Sequence, residues 1–204
     1  MKIAIIDYGM GNIHSVAKAL AIFGADAVIT NKSSEISLCD KSILPWVGAF
    51  DDAMVELEKQ GLVGAINNEI KQKKPLLGIC LGLQLFFEAS SEASLKKGLG
   101  LIKGQVVKFH SDKGLKVPHM GWNGLNIIKN DCPLLKGIGT GSQVYFCHSY
   151  YPEPDQKDVV AASTDYGLEF ASVVWKDNIY GVQFHPEKSQ ETGLKIIKNF
   201  IELC

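Results

Sequence analysis

Leu76-Leu77-Gly78-Ile79-Cys80-Leu81-Gly82-Leu83-Gln84-Leu85-Phe86-Phe87 decides how this chain folds. Pro75 opens the stretch, and its first five residues are apolar up to the closing thiol. A continuous apolar run of this length reads as a strand buried on both faces, the habit of parallel sheets covered by helices on each side. The run ends as Gly78-x-Cys80-x-Gly82, and Leu83 to Phe87 begin a helix. A cysteine between glycines at a strand-to-helix junction has the pattern of a nucleophile elbow, because the turn is sharp and flanking side chains would crowd the neighbouring strand or helix. Such a turn lifts the sulfur out of the sheet and sets it at a helix N-terminus, whose unpaired N–H groups favour thiolate. The pentapeptide is short, and a cysteine that merely fills the core fits it equally well.

Working back to the N-terminus, Lys2 to Asp7 is an apolar run closed by an acid and then by the turn-prone Gly9-Met10-Gly11-Asn12. Ile13, Val16, Ala17, Leu20 and Phe23 recur at helical spacing, and Gly24 closes that helix. Strands fit Ala27 to Ile29 and Ser42 to Leu44, and helices fit Asp51 to Gln60, with Asp51 or Asp52 as cap, and Leu62 to Lys73. After residue 100 the pattern changes to short strand-like runs at 104–109, 124–128, 143–147, 159–162, 171–175 and 179–184, read as antiparallel or mixed. Pro152-Glu153-Pro154-Asp155 reads as an exposed loop, and 190–203 as a last helix with Leu194, Ile197, Phe200 and Ile201 on one stripe.

The bulk properties exclude several classes. A chain of 204 residues with 46% hydrophobic content suits one domain spanning 1–204. With 21 basic and 22 acidic residues and a net charge of −1, there is no positive field for a nucleic-acid backbone. The apolar start before Asp7 is too short for a signal peptide or membrane span, so a cytoplasmic protein without membrane attachment is expected. Five cysteines without CxxC spacing argue against a disulfide framework and a zinc site, and no metal or cofactor is expected.

Gly181-Val182-Gln183-Phe184-His185-Pro186-Glu187-Lys188 supplies a second chemical feature. Pro186 holds the preceding histidine extended. In an extended segment residues 185 and 187 share a side, so Glu187 is expected to accept from one imidazole nitrogen while the other faces the cysteine. Nucleophile, base and orienter in that order is the arrangement of covalent acyl transfer. A surface His-Pro turn is the plainer reading of this segment alone; joined to Cys80 in an α/β pattern, the catalytic reading is preferred.

At these residues the chain resembles the class I (triad) glutamine amidotransferases, and more narrowly the glutaminase subunits of imidazole glycerol phosphate synthases. The narrower resemblance also rests on Asp7-Tyr8-Gly9-Met10-Gly11-Asn12, Pro118-His119-Met120-Gly121-Trp122-Asn123 and Tyr145-Phe146-Cys147-His148-Ser149-Tyr150, and covers almost the whole chain. It implies an α/β fold: a central, mostly parallel sheet flanked by helices, with added antiparallel strands in the C-terminal half. It implies that Cys80 attacks the glutamine side-chain amide, that His185 moves protons and that Glu187 orients the imidazole. Gln84, Ser149 and Tyr150 would hold glutamine, and the N–H groups of Val47 and Leu81 would form the oxyanion hole. Asn12, Met120, Trp122 and Lys188 match positions facing a (β/α)8-barrel cyclase subunit in a heterodimer, which would receive the ammonia for histidine biosynthesis.

One departure stands out. Where the family reads Pro-Gly-Val-Gly, this chain reads Pro45-Trp46-Val47-Gly48. Glycine admits φ > 0 and lets a peptide flip, which tryptophan resists. Three readings besides the leading one stay open: the same glutaminase feeding a sugar-modifying enzyme of a surface-polysaccharide pathway, a non-catalytic regulatory module, and a cysteine peptidase on a related fold.

Overall fold

The apolar run from Leu76 to Cys80 forms strand β4 near the middle of an eight-stranded sheet. The computed structural model describes residues 1–9, 13–46, 48–110 and 115–204, with Trp46 described by its backbone alone. Its strands are β1 (Lys2–Ile6), β2 (Asp26–Thr30), β3 (Lys41–Trp46), β4 (Leu76–Cys80), β5 (Ala89–Ser90), β6 (Gly104–Lys108), β7 (His119–Gly124), β8 (Asn126–Ile127), β9 (Gln143–His148), β10 (Tyr150–Pro154), β11 (Val160–Asp165), β12 (Glu169–Lys176) and β13 (Ile179–Val182). Its helices are α1 (Ile13–Ile22), α2 (Ser33–Ile36), α3 (Phe50–Lys59), α4 (Leu62–Lys71), α5 (Leu81–Gln84) and α6 (Gln190–Leu203). None is long and apolar enough to cross a membrane among the described residues.

The large sheet runs β2-β1-β3-β4-β13-β12-β11-β8. Its first five strands are parallel, and the next three are antiparallel to their neighbours. This is the mostly parallel sheet with antiparallel additions expected from the sequence. Pleating sends alternate residues to opposite faces. Ile3 and Ile5 of β1 and Leu77 and Ile79 of β4 therefore join a core under α1 and α6, while Ala4, Ile6 and Leu76 join a second core under α3 and α4. Burying each such Ile or Leu contributes about 1.5–3 kcal/mol, which is why an all-apolar run can sit only here.

Two smaller sheets, β10-β6-β5 and the hairpin-like β7-β9 pair, meet the antiparallel part of the large sheet, β10 against β12 and β7 against β11. Several expectations are corrected. The segment after Cys80 is one helical turn, α5, and not a helix through Phe87. Residues 152–154 belong to strand β10, which pairs antiparallel with β6; their prolines are tolerated because β10 is an edge strand. Neither Asp51 nor Asp52 caps α3: Ala49 is at the cap, and the Asp51 carboxylate instead accepts from the N–H groups of Ser94, Leu95 and Lys96. The β7 strand over 119–124 falls before the run read at 124–128, because His, Gly and Asn break the apolar alternation.

Candidate active site

Cys80 sits at the end of β4 with φ 55° and ψ −111°, a backbone conformation L-residues rarely adopt and one costing about 1–3 kcal/mol. Its flanking glycines are required by contact. A Cβ on Gly82 would lie 1.9 Å from the Leu44 carbonyl oxygen, and one on Gly78 would lie 2.6 Å from the Phe86 ring. The elbow thus lifts the sulfur over the sheet edge, where Gln183 Nε2 approaches it to 3.7 Å and the Cys147 carbonyl to 3.8 Å.

Strand β13 runs parallel to β4 and carries the chain to His185 on the same end of the sheet. His185 is extended at φ −99° and ψ 97°, as the following proline demands. Pro186–Lys188 then form a 3-10 turn, and it is this turn, rather than the extended alternation expected, that folds Glu187 back onto the imidazole. Glu187 Oε1 lies 3.0 Å from His185 Nδ1, which leaves Nε2 as the nitrogen free to face Cys80, and both Cys80 and His185 line one cleft. Burial disfavours the imidazolium, yet the hydrogen bonds and charges of Cys80 and Glu187 outweigh it and raise the His185 pKa to about 10. The surroundings of the ring thus favour its protonated form.

Two anchors not foreseen from the sequence fix the turn. The His185 N–H donates to the Tyr145 carbonyl, while Ser189 Oγ donates to the His185 carbonyl and accepts from the Tyr145 N–H. Close approach of α6 completes the clamp, since a Cβ on Gly193 would lie 1.9 Å from the Pro186 carbonyl oxygen.

A cleft of about 350 Å³ opens over the thiol, lined among others by Cys80, Leu81, Gln84, Ser149, Tyr150 and His185. That volume suits a small polar ligand. Gln84, Ser149 and Tyr150 are thus brought together beside Cys80. Leu81, the first residue of α5, has a first-turn N–H that lacks an intrahelical acceptor. Glu92, which the sequence reading passed over, also lines the cleft and is half-buried; burial pushes its carboxyl up, while its Oε2 accepts from the Phe50 N–H. Lys188 reaches the rim. Met120 and Trp122 are 61% and 47% exposed on β7, on the side of the β7-β9 pair that also carries Tyr145 and Cys147. Val47 and Asn12 lie outside the described residues.

The strained thiol that ends β4 and the buried His-Glu pair that follows β13 thus lie at the same end of the sheet. Residues 4–203 match the family model of the class-I glutamine amidotransferases, and the chain belongs to that family. Within it, the chain is 54% identical to the imidazole glycerol phosphate synthase subunit HisH of Caldanaerobacter subterraneus subsp. tengcongensis, over 98% of both chains. It is 50% identical to the subunit of the same name from Methanocaldococcus jannaschii, over 98% of this chain and 99% of the other. Two solved structures share the fold: PurLQS from Thermotoga maritima, with a TM-score of 0.76 at 17% identity over 98% of this chain and 96% of the other, and the Trypanosoma brucei CTPS glutaminase domain, with a TM-score of 0.65 at 17% identity over 99% and 94%.

Proposed function

We propose that the chain hydrolyses glutamine through Cys80, His185 and Glu187 and passes the ammonia to a (β/α)8-barrel cyclase partner in histidine biosynthesis. The observation that carries this reading is the buried His185–Glu187 pair, 3.0 Å apart, whose imidazole lines the same cleft as Cys80. Cys80 attacks the side-chain carboxamide carbon, and the carbonyl electrons move onto an oxygen received by the Leu81 N–H and, by resemblance, that of Val47. The tetrahedral adduct collapses as His185 donates its proton to the departing nitrogen, which leaves as ammonia. A glutamyl thioester remains. His185, now neutral, takes a proton from water, the hydroxide adds to the thioester, and glutamate departs with the thiolate restored. Glu187 holds the ring so that Nε2 faces the sulfur in both halves.

Gln84, Ser149 and Tyr150 hold the substrate's backbone end, and Glu92 offers its carboxylate to the α-ammonium. Met120, Trp122, Lys188 and Asn12 meet the partner. The names of the relatives favour the histidine pathway over a sugar-modifying one.

The test is ammonia release from glutamine with and without a cyclase barrel subunit. Release that rises when the barrel is added, and disappears in Cys80→Ala, is expected. A wild-type complex that consumes no glutamine would overturn the reading in favour of a non-catalytic module.

A further inference from the structure

Beneath the β7-β9 pair, two histidines face each other in an aromatic box. His119 Nδ1 lies 3.0 Å from His148 Nε2, and the residues pair directly across the strands. The His119 ring is sandwiched between Tyr166 and Phe146, with centroids 3.9 and 4.7 Å away, and Phe109 and Phe170 flank His148. Both histidines are buried, and neither has a part in the acyl-transfer steps above.

Their protonation pattern is dictated by one atom. His148 Nδ1 lies 2.7 Å from the Tyr150 carbonyl oxygen, which can only accept, so Nδ1 carries the proton. Burial lowers His148 to about 3 and His119 to about 4, so both rings are neutral at working pH. His148 Nε2 is then an acceptor and takes the His119 Nδ1–H, leaving His119 Nε2 to accept from Asn123 Nδ2 at 3.4 Å. From the other side, Gln84 Nε2 donates to the same Tyr150 oxygen at 2.9 Å. That choice turns Gln84 Nε2 also toward Gln183 Oε1 at 3.1 Å, and Gln183 Nε2 toward the Cys80 sulfur. Donors from both sides converge on one carbonyl, and no amide or ring along the chain can be flipped without breaking a bond.

We propose that His148, backed by His119 and Asn123, is a positioning residue for the glutamine site: it fixes the Tyr150 carbonyl and thereby the orientation of Gln84 and Gln183 beside Cys80. This rests on the glutaminase reading for its substrate. Replacing His148 by leucine removes the donor that shares the Tyr150 oxygen with Gln84, and frees that segment to shift. Asparagine at 148 can place an Nδ2 donor where the imidazole Nδ1 stood, so it restores the contact that leucine loses.

Inactivation of Cys80 is followed with two reagents, a diazoketone analogue of glutamine and iodoacetamide, on the chain with saturating cyclase partner. For His148→Leu, the half-saturating concentration of the analogue rises about tenfold, the scale of one hydrogen bond. The iodoacetamide rate stays within about twofold, a change too small to reflect a lost interaction. His148→Asn returns the analogue's half-saturation to near the wild-type value. His119→Leu and His119→Asn repeat the comparison one bond further out, with a smaller rise for leucine, and supply the answer if His148→Leu does not fold. Unchanged half-saturation in both leucine variants overturns the positioning role, as does an equal loss in leucine and asparagine variants or equal slowing by both reagents. A wild-type Cys80 that the analogue does not saturate overturns the glutamine reading itself, and the positioning role with it.

Discussion

The Nδ1 atom of His185 and Oε1 of Glu187 stand 3.0 Å apart with their side chains only 5% and 3% exposed. Two residues apart in sequence, they meet because a 3-10 turn folds one over the other. Water cannot replace the carboxylate there, so Glu187 sets which imidazole nitrogen faces the thiol and, together with Cys80, offsets the cost of burying a cation. Glu187→Gln keeps the volume and removes the charge. Glutamine turnover in the complex is expected to fall by roughly 10²–10⁴, the range for a disturbed triad orienter, with a much smaller change in KM. The His185 titration followed by NMR should move from about 10 toward the ordinary range. Full activity in Glu187→Gln would remove Glu187 from the mechanism.

The neutral pair His119 and His148 makes stability depend on acidity. Burial depresses both folded-state pKa values, to about 4 and about 3, below the roughly 6.5 of an unfolded histidine. Their contribution is therefore complete above pH ~6.5 and is lost as pH falls toward the folded values. Between pH 6.5 and 5, urea denaturation should show stability falling by up to about 1.4 kcal/mol per pH unit for each histidine. His119→Asn should make that slope shallower by about one histidine's share. An unchanged slope would mean that His119 titrates normally.

Lys41 is a structural cation far along the chain from the triad. It is 5% exposed, and its Nζ donates to the carbonyls of Phe200, Ile201 and Cys204, capping the end of α6. Lys41→Met keeps the stem and removes the donor, leaving those acceptors without it. A loss of about 2–3 kcal/mol by urea titration is expected, with the KM for glutamine unchanged. A loss under about 0.5 kcal/mol would show that water reaches those carbonyls.

How much was legible in the sequence depended on whether local pattern or distant contact decided each element. Strand β4, helix α6 and the elbow glycines carry their signals in adjacent residues, so they were read correctly. Cys80, His185 and Glu187 were placed together by chemistry, but the expected extended geometry at 185–187 was wrong, since nothing local distinguishes an extended His-Pro-Glu from a 3-10 turn clamped by Ser189 and Gly193. The strand β10 was hidden by Pro152 and Pro154, whose missing N–H groups matter little on an edge. Glu92 and the His119–His148 pair were missed because their meaning lies in partners far off in the chain: Phe50 for Glu92, and a facing strand for the histidines.

The family resemblance read from the sequence leads one to expect glycine where this chain has Trp46. Its backbone ends β3 in register with Cys80. A bulky residue entering the left-handed region costs about 1–2 kcal/mol that glycine does not. If the reaction needs that backbone to turn, Trp46→Gly should raise turnover in the complex by roughly tenfold. Equal rates would show that tryptophan imposes no barrier.

The most direct test is acid quench of the complex during turnover of isotopically labelled glutamine, followed by mass spectrometry of the peptide containing Cys80. The predicted result is a glutamyl thioester on Cys80 that forms and decays with turnover and is absent in Cys80→Ala. Ammonia released by Cys80→Ala at the wild-type rate, or label trapped on a different side chain, would contradict it.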